Sequence, residues 1–200
     1  KTRPMREINH TTLVLASQSP RRKELLRQMG FTLEICPADI DESNGHNLEP
    51  DDFVKKLSLD KALAVMPKYP DAWVIGADTV VVAKEAILGK PGSETEAVEM
   101  LRALSGTEHS VFTGFSLGHH EKDITRTGAV ETRVRFKALS NEEILWYAQT
   151  KEPYDKAGAY GIQGMGGFMV ESITGSYSNV VGLPLCEVME TLKDLGAVRF

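Results

Sequence analysis

The apolar positions of this chain fall into two rhythms that alternate along its length. Short apolar runs suit buried strands, and stripes spaced three and four apart suit helices. Residues 13–16 form a short apolar run that predicts a strand. Ser19-Pro20 then supplies an N-cap and an N1 proline for a helix carrying Leu25, Leu26 and Met29, which Gly30 stops. Residues 32–36 read as a second strand, followed by a polar, acidic loop over 38–49. Pro50-Asp51-Asp52 opens a helix that sets Phe53, Leu57, Lys61 and Ala64 near one face. Residues 73–83 are a β-rich run broken in the middle by Gly76-Ala77-Asp78-Thr79, and 86–88 can pair with its end. Ser93-x-x-Glu96 and Ser140-x-x-Glu143 predict capping boxes for two further helices. The first carries an apolar stripe at Ala97, Met100, Leu101 and Leu104, and the second turns Ile144, Leu145 and Ala148 inward. Between them, residues 109–138 read as antiparallel strands joined around 118–123, a hairpin tip that would leave His119-His120 on the surface. A glycine-rich stretch, 158–167, leads into a strand over 168–173, and Pro184 opens a last amphipathic helix through Leu185, Val188, Met189, Leu192 and Leu195. This punctuation is that of an alternating α/β fold.

Composition narrows the class without naming a function. Two hundred residues, 42% hydrophobic and 26% charged, suffice for the core of one domain. Residues 1–11 lack an apolar stretch and read as a flexible arm before a single domain over 12–200, with no secretory signal and a cytoplasmic setting. No run approaches the ~20 apolar residues of a bilayer span. The net charge of −5 disfavours nucleic acid and acidic membranes as partners. Cys36 and Cys186 have no metal-ligand spacing and read as reduced, buried thiols.

Four placements of charge are awkward for folding alone. Arg21-Arg22-Lys23 sits in the first turn of the helix capped by Ser19, where the macrodipole already disfavours cations. With Ser17 and Ser19 it makes either a phosphate clamp or a solvated basic turn. Asp78 lies among Val74, Ile75, Val80, Val81 and Val82, where a lone carboxylate is expensive. It reads as a metal ligand or general base, or as a structural Asp that pairs with an arginine or closes a turn after Gly76. Lys61 interrupts an apolar stripe, and Lys90 is fixed between Gly89 and Pro91; each alone suits a surface lysine, while together with the arginines they outline a site for several phosphates. Asp39, Asp41 and Glu42 form an acidic loop that is either solvated or suited to a hard cation such as Mg²⁺. Gly164, Gly166 and Gly167 imply a close backbone approach to a ligand or a tight turn. The Walker, dinucleotide-binding, nucleophile-elbow and zincin motifs are absent.

The segment Leu13-Val14-Leu15-Ala16-Ser17-Gln18-Ser19-Pro20-Arg21-Arg22-Lys23-Glu24-Leu25-Leu26 resembles the opening signature of the Maf (septum formation inhibitor Maf-like) nucleotide pyrophosphatases. The resemblance continues through Ile75-Gly76-Ala77-Asp78-Thr79, Gly89-Lys90-Pro91, Leu104-Ser105-Gly106 and Thr113-Gly114. It extends to Asp155-Lys156-Ala157-Gly158-Ala159-Tyr160-Gly161-Ile162-Gln163-Gly164 and Val181-Gly182-Leu183-Pro184, covering roughly 12–195. It implies an elongated mixed sheet with flanking helices, two lobes around a central cleft, similar to the inosine triphosphate pyrophosphatases. It also implies hydrolysis of nucleoside triphosphates to monophosphate and pyrophosphate with Mg²⁺ or Mn²⁺, by a cytoplasmic homodimer. Carried over by motif, Asp78 is the proton acceptor and a metal ligand, Glu42 its partner in holding metal or water, and Ser17, Arg22, Lys61 and Lys90 the phosphate-binding set. Arg21, Thr79 and Gln163 are similar to the branch that acts on dTTP and UTP, with modified pyrimidine triphosphates as further substrates. A glutamine amide offers a donor and an acceptor, complementary to a pyrimidine carbonyl and N3–H. The family's name suggests a second role, a nucleotide-binding regulator of cell division without obligatory turnover.

Overall fold

The computed structural model describes residues 12–42 and 48–199, so the expected arm over 1–11 and the centre of the acidic loop lie outside the described residues. Seven strands form one mixed sheet: β1 (Leu13–Leu15), β2 (Leu33–Ile35), β3 (Trp73–Ala83), β4 (Ala86–Leu88), β5 (Glu108–His119), β6 (Ile124–Phe136) and β7 (Val170–Thr174). Their order is β2-β1-β3-β5-β6-β7, with β4 added to β3. The β1 pairings are parallel and the rest antiparallel. The helices are α1 (Pro20–Gln28), α2 (Pro50–Val65), α3 (Glu94–Leu104), α4 (Asn141–Ala148), α5 (Tyr177–Val181) and α6 (Leu185–Asp194). Among the described residues no helix is long and apolar enough to cross a membrane.

The two-residue period of β3 distributes its side chains over separate cores. Trp73, Ile75 and Ala77 join β1, α1 and α6 in one core, and Val81 and Ala83 join α3, α4 and the end of β6 in another on the same face. Val74 and Val80 turn to the opposite face, where α2 covers the sheet. The long strands β3, β5 and β6 run through both cores, so two lobes share one sheet.

Several expectations are corrected. The break at 76–79 does not occur: β3 is continuous, because α2 lies against Gly76 and Asp78 finds a charged partner there. Residues 164–169 form 3₁₀ turns, and β7 begins only at Val170. His119 is buried, with its ring edge-on to Trp73. On α2, Ala62 and Val65 face the core and Ala64 is exposed; on α4, Tyr147 takes the inward place expected of Leu145. Both cysteines are free, as expected, but Cys36 is half-buried and Cys186 exposed. The capping box at Ser140 is complete, whereas at Ser93 the Glu96 carboxylate accepts from the Gly92 amide instead.

Candidate active site

A gap in the sheet makes the site. On one edge of β3, β1 pairs with Trp73–Ile75 and β4 with Val81–Ala83. From Ile75 to Val81 that edge spans about 20 Å at 3.3 Å per residue. Asp78 and Thr79 stand in this gap, and strand alternation points them to opposite faces of the sheet.

On the α2 face, Asp78 is 8% exposed. Its Oδ1 accepts from Lys61 Nζ at 2.7 Å, which also contacts Glu42 Oε1 at 2.8 Å. Lys61 therefore meets anions without snorkelling, and a buried carboxylate gains the partner it needs. Burial works against ionising Glu42, yet its bond to Lys61 and the positive field of Lys61, Lys90 and Arg22 hold its carboxyl below the usual value. Lys90 is exposed and contributes through that field.

On the other face, Arg22 is buried and ties three elements together. Nε donates to the Gly182 carbonyl at 2.7 Å, one Nη to Ser17 Oγ at 3.1 Å and the other to Thr79 Oγ1 at 2.9 Å. A guanidinium has five N–H donors, so donors remain for a phosphate. Burial lowers the Arg22 pKa, with Asp78 opposing and Arg21 reinforcing that shift. Thr79 Oγ1 is 2.9 Å from Thr113 Oγ1, whose hydroxyl donates to the Asn179 carbonyl at 3.0 Å, which anchors α5 beneath the site. Ser19 caps α1 as expected, accepting from the Arg22 amide at 3.4 Å.

The remaining candidates lie at the rim. Arg21 pairs with Asp155 at 2.7 Å, joining α1 to the segment that carries Gln163. Burial disfavours the Asp155 anion, but Lys156 and Arg21 outweigh it and hold the carboxyl low. Gln163 is exposed, and its side chain shares no hydrogen bond with the Asp78 cluster. Asp39 and Asp41 are exposed, and Glu42 of the acidic loop reaches Lys61. Among the described residues no group of three or more His, Cys, Asp or Glu could hold a metal ion unaided. Glu42 and Asp78, brought to one ammonium, are a two-carboxylate donor set. Such a set fits Mg²⁺ or Mn²⁺ when phosphate oxygens and water complete the shell. Sequence reasoning missed Asn179 and quoted Thr113 and Gly182 only within the resembling blocks, without a role, because a threonine in a strand and a short helix too brief for periodicity carry no charge anomaly.

Comparison with known proteins places these residues in context. Residues 12–195 match the family described as Maf, Maf-like protein. A protein of Syntrophus aciditrophicus named dTTP/UTP pyrophosphatase is 51% identical over 188 residues, covering 94% of this chain and 92% of the relative. Another with that name, from Geobacter sulfurreducens, is 50% identical over 186 residues, covering 93% of this chain and 97% of the relative. Among solved structures, a HAM1 protein from Coxiella burnetii aligns at 18% identity and a TM-score of 0.46, over 78% of each chain.

Proposed function

Because the chain belongs to the Maf family, we propose that it hydrolyses dTTP and UTP to the nucleoside monophosphate and pyrophosphate. The names of its relatives, at about half identity over nearly the whole chain, support that chemistry. The observation that carries the reading is the joint pairing of Asp78 and Glu42 with Lys61 at the gap in the sheet, back to back with Arg22 and Ser17. Asp78 on one face of β3 is the buried base, and its neighbour Thr79 on the other face accepts from the Arg22 guanidinium.

In this reading Lys61 takes Asp78 Oδ1 and leaves Oδ2 to hold a water against the α-phosphorus. A bond forms between water oxygen and phosphorus, and the α–β phosphoanhydride bond breaks. The water's proton goes to Asp78, and pyrophosphate leaves with the bonding pair. Arg22, Lys61, Lys90 and the Ser17 hydroxyl receive phosphate oxygens and take up the charge that grows on the leaving group. Glu42 and Asp78 would hold a Mg²⁺ or Mn²⁺ ion, which when bound neutralises phosphate charge and polarises the phosphoryl oxygens. Arg21, Thr79 and Gln163 complete the substrate-binding set, with Gln163 on the base. The homodimer and the cytoplasmic setting that the resemblance implies are part of the same proposal.

The test is product analysis with Mg²⁺ and UTP. Equimolar UMP and pyrophosphate are expected. Asp78→Asn should lower kcat by about 10³-fold, in the range for loss of a general base, while calorimetry still detects nucleotide binding. Orthophosphate as product, binding without turnover by the native chain, or an active Asp78→Asn variant would overturn the proposal; the second would favour the regulator.

A further inference from the structure

The glycine-rich segment is not explained by the gap in the sheet. It folds back on a single acidic side chain, Glu152, which follows α4. Glu152 Oε1 accepts from the Met165 amide at 2.9 Å, and Oε2 accepts from the Gly166 amide at 3.2 Å and the Tyr147 hydroxyl at 3.1 Å. Tyr147, fully buried on α4, in turn accepts from the Gly161 amide at 3.4 Å. The glycines make room for these two groups. A Cβ at Gly164 would fall 2.5 Å from Glu152 Oε1, and one at Gly166 would run into the Gly161 carbonyl and fall 2.7 Å from the Tyr147 hydroxyl. What the backbone approaches closely at 164 and 166 is thus this internal pair together with the segment's own backbone at 161.

Gln163 lies between the two anchors, with the 161 amide held on one side and the 165 and 166 amides on the other. The same segment spans the two lobes on the Arg22 face of the sheet. Ala159 and Tyr160 are buried in the core of α3 and α4, and Ile162 packs on the core of α1 and α6. The Gly158 amide donates to the Gly89 carbonyl at 3.0 Å, next to Lys90, and Asp155 holds Arg21. Two fixed points of the segment therefore adjoin candidate site residues, Gly158 beside Lys90 and Asp155 on Arg21, and Glu152 holds its amides at 165 and 166.

We infer that Glu152, with Tyr147, is a positioning residue that fixes Gln163 against the pyrimidine base; this rests on the reading above that Gln163 meets the base. A carboxylate accepting two backbone amides makes charge-assisted bonds that a neutral side chain does not reproduce. Glutamine at 152 keeps the size but turns an amide NH₂ toward one of the two donors, so one loop amide loses its partner. The phosphate-binding side chains stand on other elements and keep their places.

The test compares a substrate with a base and a ligand without one. In Glu152→Gln the KM for UTP should rise about tenfold, the equivalent of one charge-assisted hydrogen bond. The inhibition constant of inorganic tripolyphosphate against UTP turnover should stay within about twofold of native on the same reasoning. In a Gln163→Ala background, Glu152→Gln should add little further, because residues acting as one unit are not additive. Tyr147→Phe, which deletes one hydroxyl, should move UTP the same way by a smaller factor, and it carries the test if Glu152→Gln does not fold. Equal shifts for UTP and tripolyphosphate, no shift in either, or full additivity with Gln163→Ala would overturn the inference. A native chain that does not turn over UTP would instead overturn the proposed function.

Discussion

Lys61 holds two carboxylates with one ammonium, and its side chain and that of Asp78 are only 11% and 12% exposed. Removing one member of such a pair strands the other, so Lys61→Gln should destabilise the fold by about 3 kcal/mol. Adding Asp78→Asn should return most of that loss, since a neutral amide pair no longer needs a counter-charge. Urea unfolding of the two single variants and the double variant checks this: additive losses would mean that the two side chains do not depend on each other. Both residues could be singled out from sequence, because a carboxylate among valines and a lysine on an apolar stripe are each awkward alone. Their partnership could not be read, since residues 17 apart on a helix and a strand meet only through the packing of α2 on the sheet. Gln163 came from the resemblance, and Glu152 carried no signal because a glutamate between elements looks solvated.

At the scale of elements, the position of Lys61 is decided by where α2 touches the strands. A Cβ built at Gly76 would run into the Ser58 carbonyl and lie 2.8 Å from the Ala62 amide, and one at Gly114 would run into the Val54 carbonyl. The helix backbone thus lies directly on β3 and β5, and the Ser58 hydroxyl reaches Ser116 Oγ at 2.9 Å through the contact. Gly76→Ala should push α2 off the sheet, at a cost of about 3 kcal/mol from overpacking against backbone that has no rotamer to change. The same shift draws Lys61 away from Asp78, so kcat/KM for UTP should fall at least about tenfold in the folded fraction. Gly89→Ala has no atom within 4 Å of the added Cβ and should leave the melting temperature unchanged. An equally stable Gly76→Ala protein would contradict the close docking. This contact also accounts for what the sequence pattern misread. Glycine and aspartate inside a β-rich run look like a break, yet here glycine admits a helix and aspartate meets that helix's lysine. Strands and capped helices were legible from alternation and from Ser-x-x-Glu spacing. The helix α5 was not, because five residues after Gly175, at φ 129°, give periodicity nothing to act on.

For the molecule as a whole, the lobe built on α3 and α4 contains a histidine that its core keeps neutral. His109 is 3% exposed, its Nε2 lies 2.8 Å from the Tyr160 hydroxyl, and its Nδ1 has no hydrogen-bond partner among the described residues. Its ring stands edge-on to Phe136 and Tyr160, and burial pushes its pKa down to about 4. The folded chain therefore refuses a proton that the unfolded chain accepts below about pH 6.5. The resulting stability is fully present above that pH and is lost as pH falls toward 4. Between pH 7 and pH 5 the loss should be on the order of 2 kcal/mol. His119 adds in the same direction, since burial and then Lys122 lower its pKa. The carboxyls held low by their partners, Glu42, Glu152 and Asp155, act only further into acid, below their unfolded range. Urea midpoints at pH 7 and pH 5 separate these effects: His109→Gln should flatten most of the decline in that window, and adding His119→Gln should flatten the rest. If the native decline persisted in the double variant, the acid sensitivity of the molecule would have to come from its carboxylates. Tyr160, the partner of His109, also stands three residues before Gln163, between the 157–159 turn and the 164–169 turn. Acid loosening of this lobe should accordingly reach the segment that carries Gln163 before it reaches Arg22 and the core of α1 and α6.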